Sequence, residues 1–300
     1  MWKADHRRAS DRRGLRYPSD LTEAEWALVS PLIAPAKRGG RPRTVNVREV
    51  LNAIFYVLST GCQWNALPSD LPPRSTVWAY LDLSDWGRTI RRIHDALYVQ
   101  SREAAGREAS PTTAIIDAQS ARGAPKGGAR LIRPAMTRAE RARAHVERSS
   151  MQWQAEGRRT SKDLGCKRHI LVDTLGLFMS VDVHAANVQN RDGAEALLRQ
   201  ARRRFPFIER VIGDGGYASP KMTDLVRRTG AWTLEIVKRS DLHRFVVLPK
   251  RWIVERTLSW ISRNRRLMRG YERHTRKAAA FVRLAMIRVI LRRLAVSASA

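Results

Sequence analysis

Two cysteines, Cys62 and Cys166, are all that this chain of 300 residues contains. They stand far apart, so neither a disulfide framework nor a cysteine-rich zinc site is supported. Long apolar runs are missing as well. The closest approach, "AAAFVRLAMIRVILRRLAV", is broken by Arg283, Arg288, Arg292 and Arg293. That excludes a bilayer-spanning segment and predicts an amphipathic helix with a basic face. The opening "MWKADHRRASDRRG" has no apolar core of a secretory signal, and no membrane partner is expected. No glycine-rich loop closes on Lys-Ser or Lys-Thr, so ATP is not indicated. Acidic residues are scarce: 28 against 56 basic ones, a formal charge of +28. Self-repulsion on that scale calls for a polyanionic partner. The excess is mostly arginine, whose planar fork suits phosphate. Nucleic acid is the partner class that fits.

With 43% hydrophobic residues the chain has material for a sizeable core, and its length predicts about two domains. Residues 1–16 are polar and basic and are expected to be a disordered tail. Residues 17–110 read as a helical domain. "SDLTEAEWALVSPLI" starts a helix at Ser19 or Thr22, and "VNVREVLNAIFYVLSTG" is a second, strongly apolar one ended by Gly61. "RSTVWAYLDLSDWG" opens a third with Arg74, Ser75 and Thr76, and "RTIRRIHDALYVQSREAAG" makes a fourth. Short helices separated by tight turns resemble a helix-turn-helix module, with Arg74, Ser75 and Thr76 as candidate DNA contacts. An ordinary helical bundle is the competing reading.

From residue 111 onward the periodicity changes. "TTAIIDAQSA" reads as a buried strand, and "KRHILVDTLG" with "LFMSVDVHAA" as a hairpin turning at Thr174–Leu175–Gly176. "NRDGAEALLRQARRRFP" is a helix capped by Asn190 or Asp192. "ERVIGDGGYAS" is a strand running into a glycine loop. Helix "SPKMTDLVRRTG", strand "AWTLEIVKRS" and a last long helix follow. This order predicts an α/β domain over 111–300, a mixed sheet flanked by helices of the RNase H-like kind. Residues 122–162, rich in Arg, Ala, Gly and Ser, read as an insertion or DNA-touching arm.

An aspartate in an apolar strand is costly to bury without a partner or a metal. Asp117 follows "AII", and Asp214 follows "VIG" with Gly215 and Gly216 leaving room for close approach. Strand ends of this kind form the binding edge of such sheets. The arginine-rich stretch "RWIVERTLSWISRNRRLMRG" carries a single acid, Glu255, placed on the helix face of Trp252 and Leu258. Two readings compete for it: an ion pair with Arg251 one turn back, or a third carboxylate of a metal-binding triad. Asp173 and Asp182 also sit on apolar strands and compete as site acids. His169 and His184 read as structural.

The blocks "AIIDAQS", "KRHILVDTLGL", "VHAANVQNRDGAEALL", "GDGGYAS" and "FVVLPKRWIVERTLSWISRNRRL" resemble the catalytic domain of IS5-type (IS4 superfamily) DDE transposases of bacterial insertion sequences. "LTEAEWALVSPLIAP" and "GRPRTVNVREVLNAIFYVLSTGCQWNALPSDLPPRSTVWAYLDLSDWG" resemble the family's N-terminal DNA-binding region. The likeness covers about residues 17–290 apart from 122–160. It implies that Asp117, Asp214 and Glu255 are both the catalytic residues and the ligands of Mg²⁺ (or Mn²⁺). Arg251 matches the arginine four residues before the family's glutamate. Arg251, Arg256, Arg263, Arg265 and Arg266 are then expected to hold DNA. The expected activity is cleavage and strand transfer at the element's terminal inverted repeats. The partners are the element ends and target, both double-stranded DNA, held by a homodimer on paired ends in the nucleoid of the cytoplasm. Alternatives are a non-catalytic repressor derived from a transposase and another RNase H-like nuclease.

Overall fold

The computed structural model describes residues 11–35, 43–124, 165–237 and 250–297. Nearly all of the expected insertion at 122–162 lies outside the described residues, as does the tail up to residue 10.

Four helices come first. Helix α1 (Glu23–Val29) starts in a capping box. The Thr22 side chain accepts from the Glu25 amide, and the Glu25 carboxylate accepts from the Thr22 amide. Helix α2 (Val47–Thr60) is capped by Asn46 and stopped by Gly61, whose φ of 68° is the left-handed conformation glycine adopts without penalty. Helices α3 (Arg74–Trp86) and α4 (Thr89–Glu103) follow. The sheet then begins with β1 (Thr113–Arg122), β2 (Gly165–Val172) and β3 (Phe178–Ala185). Helix α5 (Asn190–Arg204), strand β4 (Arg210–Asp214), helix α6 (Pro220–Gly230) and strand β5 (Thr233–Val237) complete it. Helices α7 (Arg251–Ser262) and α8 (Thr275–Ser297) close the chain.

The sheet order is β3-β2-β1-β4-β5. β1 and β3 both pair antiparallel with β2, whereas β4 lies parallel to β1 and β5 parallel to β4. An antiparallel three-stranded start continued by parallel crossovers is the RNase H-like arrangement expected from the sequence. The β2–β3 hairpin turns at Gly176, whose φ is +75°. Helix α5 begins one residue earlier than a capping Asn190 would require: Gln189 is its N-cap, with no side-chain cap bond.

The C-terminal helix is not the expected amphipathic surface helix. Along α8 the residues from Ala278 to Met286 are buried apart from Arg283, and Ile287, Ile290, Leu291 and Leu294 join them. Packed against α4, β3, α1 and α2, it joins helices and sheet in one core. Arg283 and Arg288 are half-buried, and that burial lowers their guanidinium pKa to about 10 and about 9. Residues on both sides of position 110 contribute to that core. Residues 11–16 are also tied down. Arg12 pairs with the buried Glu25, and Arg16 reaches Asp20 and Glu49.

Candidate active site

Successive side chains of a strand alternate between faces. In β1, Ala118 lies opposite His169, while Asp117 lies opposite Ile170 and points to the other side of the sheet. His169 and His184 face α5, because a Cβ on Gly193 would fall 3.0 Å from one ring and 2.2 Å from the other. Asp117 and Gln119 therefore face α7, and the Gln119 side-chain amide donates to Ser262 Oγ at 2.9 Å. That bond pins the C-terminal end of α7 over β1.

Asp214 ends β4 at the same edge. Its Oδ1 accepts from the Gly216 amide at 2.9 Å and caps the turn Gly215–Tyr217. A Cβ on Gly216 would sit 3.0 Å from that Oδ1 and 3.3 Å from Asn190 Nδ2, so the close approach needs glycine. Glu255 arrives from the second turn of α7, with Arg251 one turn earlier. Arg251 lies between the two acids: its guanidinium is 3.4 Å from Asp214 Oδ2 and its Nε 3.0 Å from Glu255 Oε1. The ion-pair reading of Glu255 thus holds, and it is part of a larger arrangement. One detail differs from expectation. The Glu255 side chain is 54% exposed and stands on the solvent side of α7, whereas Leu258 is buried. A carboxylate with one partial partner stays in water because burial would be costly.

The electrostatics single out Asp117. Burial raises its carboxyl from 3.8 to about 6. The Ala118 amide, donating to its Oδ1 at 2.7 Å, acts against this, as does Arg251; the charges of Asp214 and Glu255 push it further up. Like charges disfavouring ionisation are the mark of acids gathered at one point. Behind them the buried Tyr217 hydroxyl has no hydrogen-bond partner among the described residues. Burial, then the charges of Asp117 and Asp214, raise its pKa. Among the described residues, no group of three or more His, Cys, Asp or Glu is arranged to hold a metal ion. The donor chemistry nevertheless suits a hard divalent cation: carboxylate oxygens on a half-buried edge, one with a raised pKa, and an arginine supplying the positive charge between two of them.

The other candidate residues divide. Arg74, Ser75 and Thr76 form the first turn of α3 with Arg74 and Ser75 exposed, and Arg74 is hydrogen-bonded to Asn65. Arg263 and Arg265 are exposed beyond α7. Arg256 is half-buried and already engaged within the chain. It lies 4.6 and 4.8 Å from the ring centres of Trp252 and Trp260, and it donates to the Leu175 carbonyl. Arg266 is buried. It donates to Glu272 and the Cys62 carbonyl and contacts the rings of Trp64, Tyr271 and Phe281. Asp173 is structural too. Fully buried, it pairs with Arg102 and accepts from Tyr98 and from the amides of Leu175 and Leu177. Asp182 lies on β3, two strands from β1. His169 and His184 lie in the interior with ring centres 4.7 Å apart and planes tilted by 56°, and burial lowers the pKa of His169 to about 3. Sequence reasoning missed the Arg251–Asp214 contact and the Tyr217 hydroxyl; the run "GDGGY" was the available signal for the second.

Residues 21–94 match the family model described as "Putative transposase of IS4/5 family". A relative from Burkholderia cepacia, "Insertion element IS402 uncharacterized 16.2 kDa protein", is 34% identical over 85 residues, 26% of this chain and 58% of that protein. The chain thus spans less than two thirds of that relative's length. No solved structure matches the chain significantly. Residues 108–290, which carry all three carboxylates and all five strands of the sheet, match the model described as "Transposase DDE domain". By that match over more than half its length, the chain belongs to the DDE transposase family.

Proposed function

We propose that the protein is the transposase of an insertion sequence. It binds the element's terminal inverted repeats as double-stranded DNA, cleaves there, and joins the ends to target DNA. The observation that carries this reading is the meeting of Asp117, Asp214 and Glu255 around Arg251 at one edge of the sheet. Asp117, Asp214 and Glu255 would hold the divalent ions, Mg²⁺ or Mn²⁺, that the family generally uses. When bound, such ions activate the attacking oxygen and neutralise charge at phosphorus.

The chain's own residues have separable roles. Asp117 fixes its carboxylate within β1 and Asp214 at the end of β4, both on the rigid sheet. Glu255 swings from a helix and stays solvated, so it can adjust to the DNA. Arg251, already among the acids, is placed to take a phosphate oxygen once the carboxylates are otherwise neutralised. Gly215 and Gly216 leave backbone room at the edge. Arg263 and Arg265 supply charge beside it, and the first turn of α3 supplies Arg74, Ser75 and Thr76 for contacts to the element end. Paired ends imply two copies acting together, as a homodimer.

The test is strand nicking. Duplex DNA carrying the element's end should be nicked at its terminus by the full chain with Mg²⁺ and left intact with EDTA. Binding of the end without nicking under any divalent ion would favour a repressor descended from a transposase. Nicking without preference for the end would favour another RNase H-like nuclease.

A further inference from the structure

The outer face of α5 and α6 carries a groove of about 830 Å³ that the proposed chemistry does not use. It lies across the sheet from α7, since α5 packs on β2 and β3 over the histidine pair and α6 packs beside it. Six cations line it, four from α5 (Arg191, Arg199, Arg202, Arg203) and two from α6 (Lys221, Arg228). Two acids share the lining, and both are engaged: Asp192 with Lys221 at 2.7 Å and Glu195 with Arg199 at 2.6 Å. Arg191 and Arg203 make no hydrogen bond or salt bridge among the described residues.

Helix stability does not account for this pattern. Arginines in the last turn of α5 complement the macrodipole, which explains Arg202 and Arg203. Arg191 and Lys221 sit in the first turns of α5 and α6, where a cation opposes the dipole. Those two positions are the end of the groove nearest the acids. The first residue of α5 stands against Gly216, and α6 starts six residues after Asp214. The groove therefore runs away from the carboxylate edge along α5, whose 15 residues span about 22 Å. On duplex DNA that length covers roughly six phosphates of one strand.

We propose that this groove binds the sugar-phosphate backbone of duplex DNA on the far side of the cleavage point from α7. DNA would then be gripped on both faces of the sheet with the acids between. The inference rests on the transposase reading. It adds to it a second, sequence-independent contact surface made by α5 and α6.

The experiment uses the full chain and a duplex of about 30 base pairs of random sequence, with affinity followed by fluorescence anisotropy between about 50 and 200 mM salt. A triple variant, Arg191→Gln with Arg203→Gln and Arg228→Gln, should flatten the slope of log affinity against log salt by about 2–3. Its urea midpoint should stay unchanged. A control, Arg92→Gln with Arg107→Gln, removes exposed charge from and just beyond α4 and should leave the slope as it was. An unaltered slope in the triple variant, with a steep one in the wild type, would overturn the groove and leave the transposase reading standing. Equal flattening in both variants would reduce the effect to net charge and also overturn it. A flat wild-type response would remove DNA binding altogether, and both readings with it. Loss of poly-glutamate binding with the DNA slope retained would assign the groove to an acidic protein instead.

Discussion

Arg251 stands between Asp214 and Glu255, within 3.4 Å of one and 3.0 Å of the other. Its side chain is 30% exposed, so part of its charge is screened by water. It holds two carboxylates from a strand and a helix in one place, and it lowers the pKa of the third, Asp117.

Replacing Arg251 by Gln should therefore separate two properties. With the cation gone, the acids present more uncompensated charge, and affinity for Mn²⁺ should rise by about 1 kcal/mol, roughly fivefold. DNA cleavage should fall by at least about a hundredfold, as expected for loss of a group that stabilises developing charge. Isothermal titration and a nicking assay read the two effects. Weaker Mn²⁺ binding would mean that Arg251 organises the acids more than it neutralises them.

The burial of Asp117 comes at a cost to stability. Its carboxyl titrates near 6 in the folded protein against 3.8 for the free side chain. Between those values the folded state binds the proton more tightly than the unfolded chain, so stability falls as pH rises through this window. Asp117→Asn removes the titration and keeps an oxygen for the Ala118 amide. Without divalent ions, urea unfolding should show the variant more stable than the wild type at pH 7.5, by at most about 3 kcal/mol. The two curves should converge below about pH 4. A variant less stable at pH 7.5 would show that the charged carboxylate is compensated in the fold.

Asp173 should behave in the opposite way. It neutralises the buried Arg102 and closes the hairpin through the Leu175 and Leu177 amides. Asp173→Ala leaves that arginine uncompensated and should cost about 3–5 kcal/mol. A chemical denaturation curve decides it, and a loss under about 1 kcal/mol would show that water replaces the carboxylate.

The elements were largely legible in the chain. Asn46, Gly61 and the Thr22–Glu25 pair mark helix ends by local chemistry, and the apolar runs before Asp117 and Asp214 mark buried strands. Local pattern failed where tertiary contacts decide. The arginines of α8 looked like a solvated face because periodicity cannot show that α1, α2, α4 and β3 surround that helix. Arg256 and Arg266 looked like Arg263 and Arg265, yet Trp252, Trp260 and the distant Leu175 carbonyl engage the half-buried Arg256, and rings and a carbonyl distant in sequence hold Arg266 inside. Asp173 and Asp117 have similar sequence contexts; what tells them apart includes Arg102 and Tyr98, each more than 70 residues from Asp173. The Arg251–Asp214 contact was illegible for the same reason: it joins a strand end to a helix far along the chain.

The central claim is that Asp117, Asp214 and Glu255 form one catalytic centre, and Glu255→Gln tests it most directly. Glu255 is exposed and makes one ion pair, so its removal should change stability by under about 1 kcal/mol. Element-end DNA should bind the variant with nearly unchanged affinity, while Mg²⁺-dependent nicking should fall below detection. Wild-type nicking by the Glu255→Gln protein would contradict the account and leave Glu255 as no more than the partner of Arg251.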